Sequence, residues 1–464
     1  MRNTLLLFLA MLAPLWGKKP NVLFIFADDM TYEAIGSLGI VDVDTPNLDH
    51  LFASGTQFTH AYNSGGWNGA ICVASRNMMM TGRYLWNARK EEKTMSKRRL
   101  WPQLMSDAGY TTYMTGKWHV KMKAPDVFDH VGDVRPGMPN QVKVGYNRPM
   151  KGKKDPWDPT DPSHGGFWKG GKHWSEVEAD TAIRFLGMAK KDEKPFFMYL
   201  AFNAPHDPRQ SPKEYLDRYP LDRVKVPGNY QDAYPHRNVM KAPHSLRDEK
   251  LAPMPRTEFS VKTARKEYFA LITHMDAQIG RVLDALKKSG MEDNTYIIFT
   301  ADHGLACGRH GLLGKQNMYD HSVRVPYVLT GPGVKAGKKI ASPIYIQDSV
   351  PSVLEMAGAK VPAHIQYQSY RPVLAGNGDG RTQIYTAYLD NAQRALTKDG
   401  YKLILYPGGG IARLYHLAED PFEKKDLLES GKGKAKAREL FEALKAEAKV
   451  HGDSLKFGEY SALK

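Results

Sequence analysis

The stretch Cys72-Val-Ala-Ser-Arg76-Asn-Met-Met-Met-Thr81-Gly82-Arg83 is the strongest local signal of chemistry in this 464-residue chain. Cys72 follows a polar, glycine-rich loop, Asn63 to Gly69, and opens a short helical pattern that carries Arg76. A helix start and a nearby guanidinium both stabilise negative charge at such a cysteine. A lone thiol is otherwise commonly a small buried hydrophobe, so both readings stand on the residues alone. Two further motifs, Asp28-Asp29 and Asp302-His303, each end a continuous apolar run. Taken singly, an aspartate there is a cap or a turn residue. Taken together, they imply distant segments that meet.

The elements that must position these residues are legible as alternation. Asn21–Ala27, 195–202, Thr295–Ala301 and 325–330 read as strands buried on both faces. One helix starts at Thr45-Pro46, a cap followed by proline, and stops at Gly55; another spans about 264–289, with Ile272, Met275, Ile279, Leu283 and Leu286 on one stripe and Gly290 closing it. The fold class is α/β, with a large, mostly parallel sheet flanked by helices. Ligands gather at the carboxyl ends of such strands, where both acidic motifs fall. After about residue 375 the pattern becomes antiparallel strands around a Lys398-Asp399-Gly400 turn, then a charged helix with Leu440, Leu444 and Ala448. The expected organisation is a leader at 1–17, a main domain at 18–375 and a smaller α+β subdomain at 376–464.

Composition narrows the classes. There are 65 Lys+Arg against 50 Asp+Glu, a net charge of +15, with 42% hydrophobic and 25% charged residues. Those proportions exclude a disordered chain, a collagen-like fibre and a polytopic membrane protein. The charge points to an anionic partner. No helix-turn-helix, zinc spacing or RNP pattern supports nucleic acid. Arg2 and the apolar run Leu5 to Trp16 have the form of a secretory leader, too short to span a bilayer, which implies a secreted or periplasmic protein. Only two cysteines, Cys72 and Cys307, are present, so there is no disulfide framework. Between 120 and 176 lies a stretch of little periodicity, in which 135–172 carries eight Lys/Arg against three acids. It reads either as a solvated insertion or as a wall where Trp157, Trp168 and Trp174 stack on sugars. A second insertion, 208–262, is rich in Pro and Arg.

The run Cys72 to Gly82 resembles the sulfatase signature C-x-[PA]-S-R-x-x-x-[LM]-T-G of the alkaline-phosphatase superfamily. Asp28-Asp29, Gly116-Lys117-Trp118-His119, Asn203-Ala-Pro-His206, Ala301-Asp302-His303-Gly304 and Gly314-Lys315 occur in that family's order, over nearly the whole chain. The motif order is most similar to iduronate-2-sulfatase-like and bacterial polysaccharide sulfatases, with choline sulfatase as a small-substrate relative. Ala74 stands where most members have proline.

The resemblance implies that a separate maturation enzyme converts Cys72 to Cα-formylglycine. One hydroxyl of its hydrate attacks sulfur and displaces the alcohol as the ester S–O bond breaks, leaving a sulfated hemiacetal; loss of the second hydroxyl proton then expels sulfate by breaking the C–O bond and restores the aldehyde. It further implies one divalent cation per chain, Ca²⁺ or Mg²⁺, held by Asp28, Asp29, Asp302, His303 and the modified Cys72. Arg76, Lys117 and Lys315 would stabilise the transferring sulfuryl group. His119 would be the base for sulfate release. His206 would be the acid for the leaving alcohol, with Lys315 as its rival. Arg309, His310 and His321, in and just beyond a glycine-rich loop, are candidates for substrate contact, and Cys307 reads as a bystander. The implied substrate is a sulfated saccharide or polysaccharide. The alternatives are a phosphate or phosphonate ester hydrolase of the same superfamily and a non-catalytic glycan-binding protein.

Overall fold

The chain was examined as a computed structural model that describes residues 18–135, 137 and 142–464; the leader expected at 1–17 lies outside the described residues. The continuous apolar runs form the centre of an eight-stranded sheet because helices cover both its faces. Its strands are β1 (Asn21–Ala27), β2 (Thr56–Phe58), β3 (Thr111–Lys117), β4 (His130–Arg135), β5 (Phe196–Ala201), β6 (Thr295–Ala301), β7 (Tyr327–Thr330) and β8 (Lys339–Ile340). They run in the order β8-β2-β7-β6-β1-β5-β3-β4. The pairs from β6 through β4 are all parallel, while β7 is antiparallel to both its neighbours. The apolar run at 325–330 is thus not one strand: Arg324–Val325 pairs elsewhere, and Pro326, which lacks an N–H, separates it from β7.

Four helices matter for the site. These are α1 (Pro46–Ser54), α2 (Ile71–Thr81), α3 (Trp174–Ala189) and α4 (Glu258–Ser289). Thr45 precedes α1, but its hydroxyl donates to Asp49 (2.9 Å) and does not cap the helix. Helix α4 starts at Glu258, about six residues before the expected 264, at a Thr257/Ser260 capping box, and closes at Gly290 with φ +77°.

Beyond the main sheet, Gln383–Tyr388, Gln393–Lys398, Tyr401–Tyr406 and Ile411–His416 form an antiparallel sheet. The segment Gly65–Gly66 joins it as a fifth, parallel strand. Helix α5 (Lys434–Val450) buries Ala437, Leu440, Leu444 and Ala448 against it. Two apolar cores result, and α2 lies between them. Met79 and Met80 pack into the main core, whereas Ile71, Ala74 and Met78 pack into the smaller one. The described residues between 120 and 176 carry more regular structure than their composition suggests, since β4 extends the main sheet and Phe167–Trp168 pairs with Lys172–His173. Trp157 and Trp174 are only 7% and 6% exposed. Trp157 stacks on His164, and Trp174 packs against Trp168 (3.9 Å between rings) and the Arg135 guanidinium. The tryptophan wall expected for sugars is therefore largely internal packing.

Candidate active site

Four adjacent parallel strands deliver their carboxyl ends to one place. Ala27 of β1 is in register with Ala301 of β6, so Asp28-Asp29 and Asp302-His303 emerge side by side. Strand β3 ends in Lys117, with His119 two residues on, and β5 leads to Asn203 and His206. Asp28 N–H donates to Ala204 O (3.0 Å) and Asp302 N–H to Ala27 O (3.1 Å), which ties the strand ends together. Gly116 has φ +96°, and a Cβ there would lie 2.0 Å from Ala201 O, so glycine lets β3 and β5 approach. Asp29 adopts φ +69°, a conformation held by its N–H donating to Asp302 Oδ1 (3.2 Å) and by the Tyr268 hydroxyl donating to its carbonyl (2.7 Å).

Helix α2 lays its first turns across these ends. Ser75 Oγ donates to Asp302 O (2.9 Å), Arg76 Nε to Asp302 Oδ2 (3.2 Å), and Arg76 Nη1 to Lys117 O (2.6 Å). Cys72 Sγ then lies 3.4 Å from His119 Nδ1. Lys117 contacts Asp28, and Lys315 Nζ donates to Asp29 Oδ1 and Oδ2 (2.8 and 3.0 Å). Asp28, Asp29, Cys72, Arg76, Lys117, His119, His206, Asp302, His303 and Lys315 thus form one buried or half-buried cluster. Arg309, His310 and His321 do not line the pocket that Cys72 opens into. Arg309 pairs with Glu33, and His310 is buried against Tyr319 (4.1 Å) and packs near His321. These three candidates for substrate contact therefore lie outside the lining of the Cys72 pocket.

Charge in the cluster is closely matched. Burial opposes ionisation of Asp28, but Lys117, His206 and Arg76 outweigh it and hold the carboxyl well below its usual range. Asp29 goes the other way: burial raises it, Asp28 and Asp302 add to the rise, and Lys315 does not offset them. Burial, with Lys117 and Arg76 nearby, pushes His119 down to about 3. Burial, with Lys315 and Lys117, holds His206 well below the usual imidazole range.

A divalent cation fits these residues. One ligand atom each from Asp28, Cys72, Asp302 and His303 lies within 4.8 Å of the others. His303 Nδ1 donates to Gly304 O (3.0 Å), since a carbonyl can only accept, so Nε2 presents a lone pair. That Nε2 and Asp28 Oδ1 are buried without a hydrogen-bond partner among the described residues. Nε2 also lies 3.1 Å from Asp29 Oδ1. Lone pairs crowded against carboxylates repel, and a hard cation turns that repulsion into ligation.

The pocket has a volume of about 140 Å³, and its lining adds Leu246, Arg247, Asp248 and Gln316 to Cys72, His119, His206 and Lys315. Arg247 donates to Asp207 Oδ2 (2.5 Å) and to His206 Nε2 (3.3 Å), and it contacts Asp248. His206 Nδ1 donates to Asp207 O (2.7 Å). Sequence reading missed Arg247 and Asp248, which sit in the aperiodic 208–262 insertion. It also missed Glu178 of α3, buried beside Gly116 and pushed up to about 8 by burial despite Arg135.

The profile described as Sulfatase matches residues 20–359. The chain belongs to the sulfatase family. A second profile, N-sulphoglucosamine sulphohydrolase C-terminal, matches residues 308–450 of this sulfatase. A sulfatase of Formosa agariphila is 29% identical over 458 residues, covering 92% of this chain and 86% of the relative. An N-acetylglucosamine-6-O-sulfatase of Bacteroides thetaiotaomicron is 26% identical over 513 residues, covering 94% and 88%. A structure solved with its substrate D-glucosamine-2-N,6-O-disulfate superposes with a TM-score of 0.75 at 25% identity, covering 94% of this chain and 99% of the other. The sulfatase is thus a sulfuric ester hydrolase with the α/β architecture expected from its strands.

Proposed function

We propose that this sulfatase removes sulfate from a sulfated carbohydrate, using formylglycine made from Cys72 and a divalent cation. The observation that carries the proposal is the convergence of Cys72, three buried carboxylates and three buried cations beside one small pocket. Formylglycine, when present, supplies a hydrated aldehyde as nucleophile, which an unmodified thiol does not. The cation, held by Asp28, Asp29, Asp302 and His303, would supply charge stabilisation for the sulfuryl oxygens.

The chain's own groups do the rest. Arg76 is fixed by Asp302 and the Lys117 carbonyl, so its charge is preorganised behind residue 72. Lys117 and Lys315 are held against Asp28 and Asp29, where they meet charge developing on an oxyanion. His119, beside residue 72 and neutral in its surroundings, takes the hydroxyl proton that accompanies sulfate release. The proton for the departing alcohol comes from His206 or Lys315, which both line the pocket. Arg247 and Asp248 present a cation and a carboxylate suited to the polar groups of a sugar. The pocket volume of about 140 Å³ suits the terminal sulfated unit of a saccharide. The leader pattern at Leu5 to Trp16 supports a secreted or periplasmic location.

The test is co-expression with a formylglycine-generating enzyme, peptide mass spectrometry across Cys72, and a screen of defined sulfated mono- and oligosaccharides. The expected result is formylglycine at position 72 and desulfation of at least one saccharide. Full activity with unmodified cysteine would overturn the mechanism. The Ala74 position makes the choice of maturation enzyme part of the same experiment.

A further inference from the structure

Arg309, turned away from the catalytic pocket, lines a separate cleft of about 490 Å³ that shares no lining residue with the pocket at Cys72. Arg223, Lys225, Arg265 and Arg309 line this cleft, and Asp42 is the single acid among its described lining residues. Two of the four cations are accounted for. Arg223 pairs with Asp42 and Asp44 (both 2.7 Å), and Arg309 pairs with Glu33 and donates to Asn229 Oδ1 (3.2 Å). Arg265 is different. It is 5% exposed, its Nη1 donates to the Cys307 carbonyl (3.3 Å), and its Nε has no acceptor among the described residues. No carboxylate among them forms an ion pair with it.

A buried guanidinium without a counter-charge is costly, because desolvation is not repaid by attraction. Burial and the like charge of Arg309 push Arg265 down to about 10 although Glu33, already paired with Arg309, pulls the other way. The fold nevertheless holds it in place: Phe269 lies under the Arg265 guanidinium (5.0 Å) and Phe422 under that of Arg309 (5.1 Å). Lys225 stands exposed at the rim. Two guanidiniums held on aromatic rings, one with no carboxylate ion pair among the described residues, suit a tetrahedral oxyanion, whose oxygens accept from the planar guanidinium fork. The cleft has the size of sites that take small molecules, about 300–1,000 Å³.

We infer that this cleft is a second anion site, which binds a sulfate-type oxyanion through Arg265, with Arg309 and Lys225 adding charge. The oxyanion has two possible sources, the free inorganic ion or a sulfate group on a saccharide chain.

The experiment is isothermal titration of the full chain with inorganic sulfate, on wild type and on Arg265→Gln. The expected result is two sulfates per wild-type chain, one at the Cys72 pocket and one here. In Arg265→Gln the second site weakens by about tenfold or more, the effect of losing a charged hydrogen bond, while the first keeps its affinity. Lys225→Ala, exposed and harmless to folding, should weaken the same site by a smaller factor and serves if Arg265→Gln does not fold. Competition by a sulfated disaccharide, but not by its desulfated form, assigns the site to saccharide-borne sulfate; binding of the free ion alone assigns it to inorganic sulfate. Either supports the inference. One sulfate per wild-type chain, or two undiminished in both variants, overturns it. Turnover of a small aryl sulfate is read in parallel, so failure of the catalytic reading is seen separately.

Discussion

Removing the divalent cation should lower stability by an amount the site itself sets. Asp28 Oδ1 and His303 Nε2 are buried without a hydrogen-bond partner among the described residues; Arg76 Nη2 comes no nearer than 4.0 Å to the first, and the second lies against Asp29 Oδ1. An unsatisfied buried polar atom costs ~1–3 kcal/mol, so relieving two is worth ~2–6 kcal/mol. Linkage gives the observable form: a ligand at one hundred times its Kd adds about 2.7 kcal/mol, and each further tenfold about 1.4. Unfolding entropy is about 2.1 cal/mol/K per residue, so a chain this long shifts ~1 °C in Tm per kcal/mol. The expected change is therefore ~3 °C between chelated protein and protein saturated a hundredfold.

The assay is thermal unfolding followed by tryptophan fluorescence, after EDTA treatment and dialysis, across a concentration series of Ca²⁺ and, separately, Mg²⁺. Asp28→Asn should flatten the series whatever its own Tm, because the slope reports ligation and the intercept reports packing. A melting temperature independent of both cations up to millimolar concentration would refute the reasoning. It would mean that Arg76, Lys117 and Lys315 by themselves neutralise the three carboxylates.

Three further outcomes follow from the same structure. Cys72→Ala should cut kcat/KM by several orders of magnitude with little change in Tm, since Cys72 is small and its one side-chain hydrogen bond among the described residues is to His119; parallel kinetics and melting curves check this. Gly116→Ala should destabilise the fold by at least ~2 kcal/mol in urea unfolding, because φ +96° disfavours any Cβ and the new carbon meets the Ala201 carbonyl. Burial pushes His451, stacked on Tyr84, down to about 3, so the folded imidazole stays neutral where the unfolded one takes a proton. Its contribution is complete above the unfolded value of about 6.5 and is lost as pH falls toward 3, at about 1.4 kcal/mol per pH unit. His451→Phe should reduce that slope between pH 6 and 4 (about one proton fewer) relative to wild type.

What was readable from the sequence, and what was not, follows from how each residue is held. Asp28, Asp29, Asp302 and His303 were readable because a strand buried on both faces is a continuous apolar run, and the polar residue that ends it marks the sheet's carboxyl edge. Cys72 and Arg76 were readable because one short helix carries both. Glu178 was hidden for the opposite reason: in Trp174-Ser-Glu-Val-Glu-Ala-Asp a glutamate looks like the solvated face of an amphipathic helix. Only the packing of α3 against β3 and β4 buries it. Arg247 and Asp248 lie in a stretch with no period to read, and loop geometry alone brings them to His206. Arg309, His310 and His321 fall outside the Cys72 pocket although they follow Asp302 closely in the sequence. Closeness in sequence to Asp302 suggested the pocket, but a loop with positive φ at Cys307, Gly308, His310 and Gly311 reverses the chain within a few residues.

Helix α2 connects this local legibility to the fold. Its Met79 and Met80 belong to the core under the main sheet, and its Ile71, Ala74 and Met78 to the core built by the carboxyl-terminal sheet. Contacts on both sides constrain the helix about its own axis, and with it the direction in which residue 72 points. The paired strand Gly65–Gly66, just before α2, adds a second tether to the same carboxyl-terminal sheet. Residues after 376 thus act on the catalytic position although none of them lines its pocket. A cavity in the smaller core, such as Leu440→Ala, should cost ~2–5 kcal/mol of stability like any buried leucine. If α2 is oriented by both cores, the same substitution should also lower kcat for a small aryl sulfate while leaving KM nearly unchanged. Equal stability loss with unaltered kcat would show that the main core alone sets the helix.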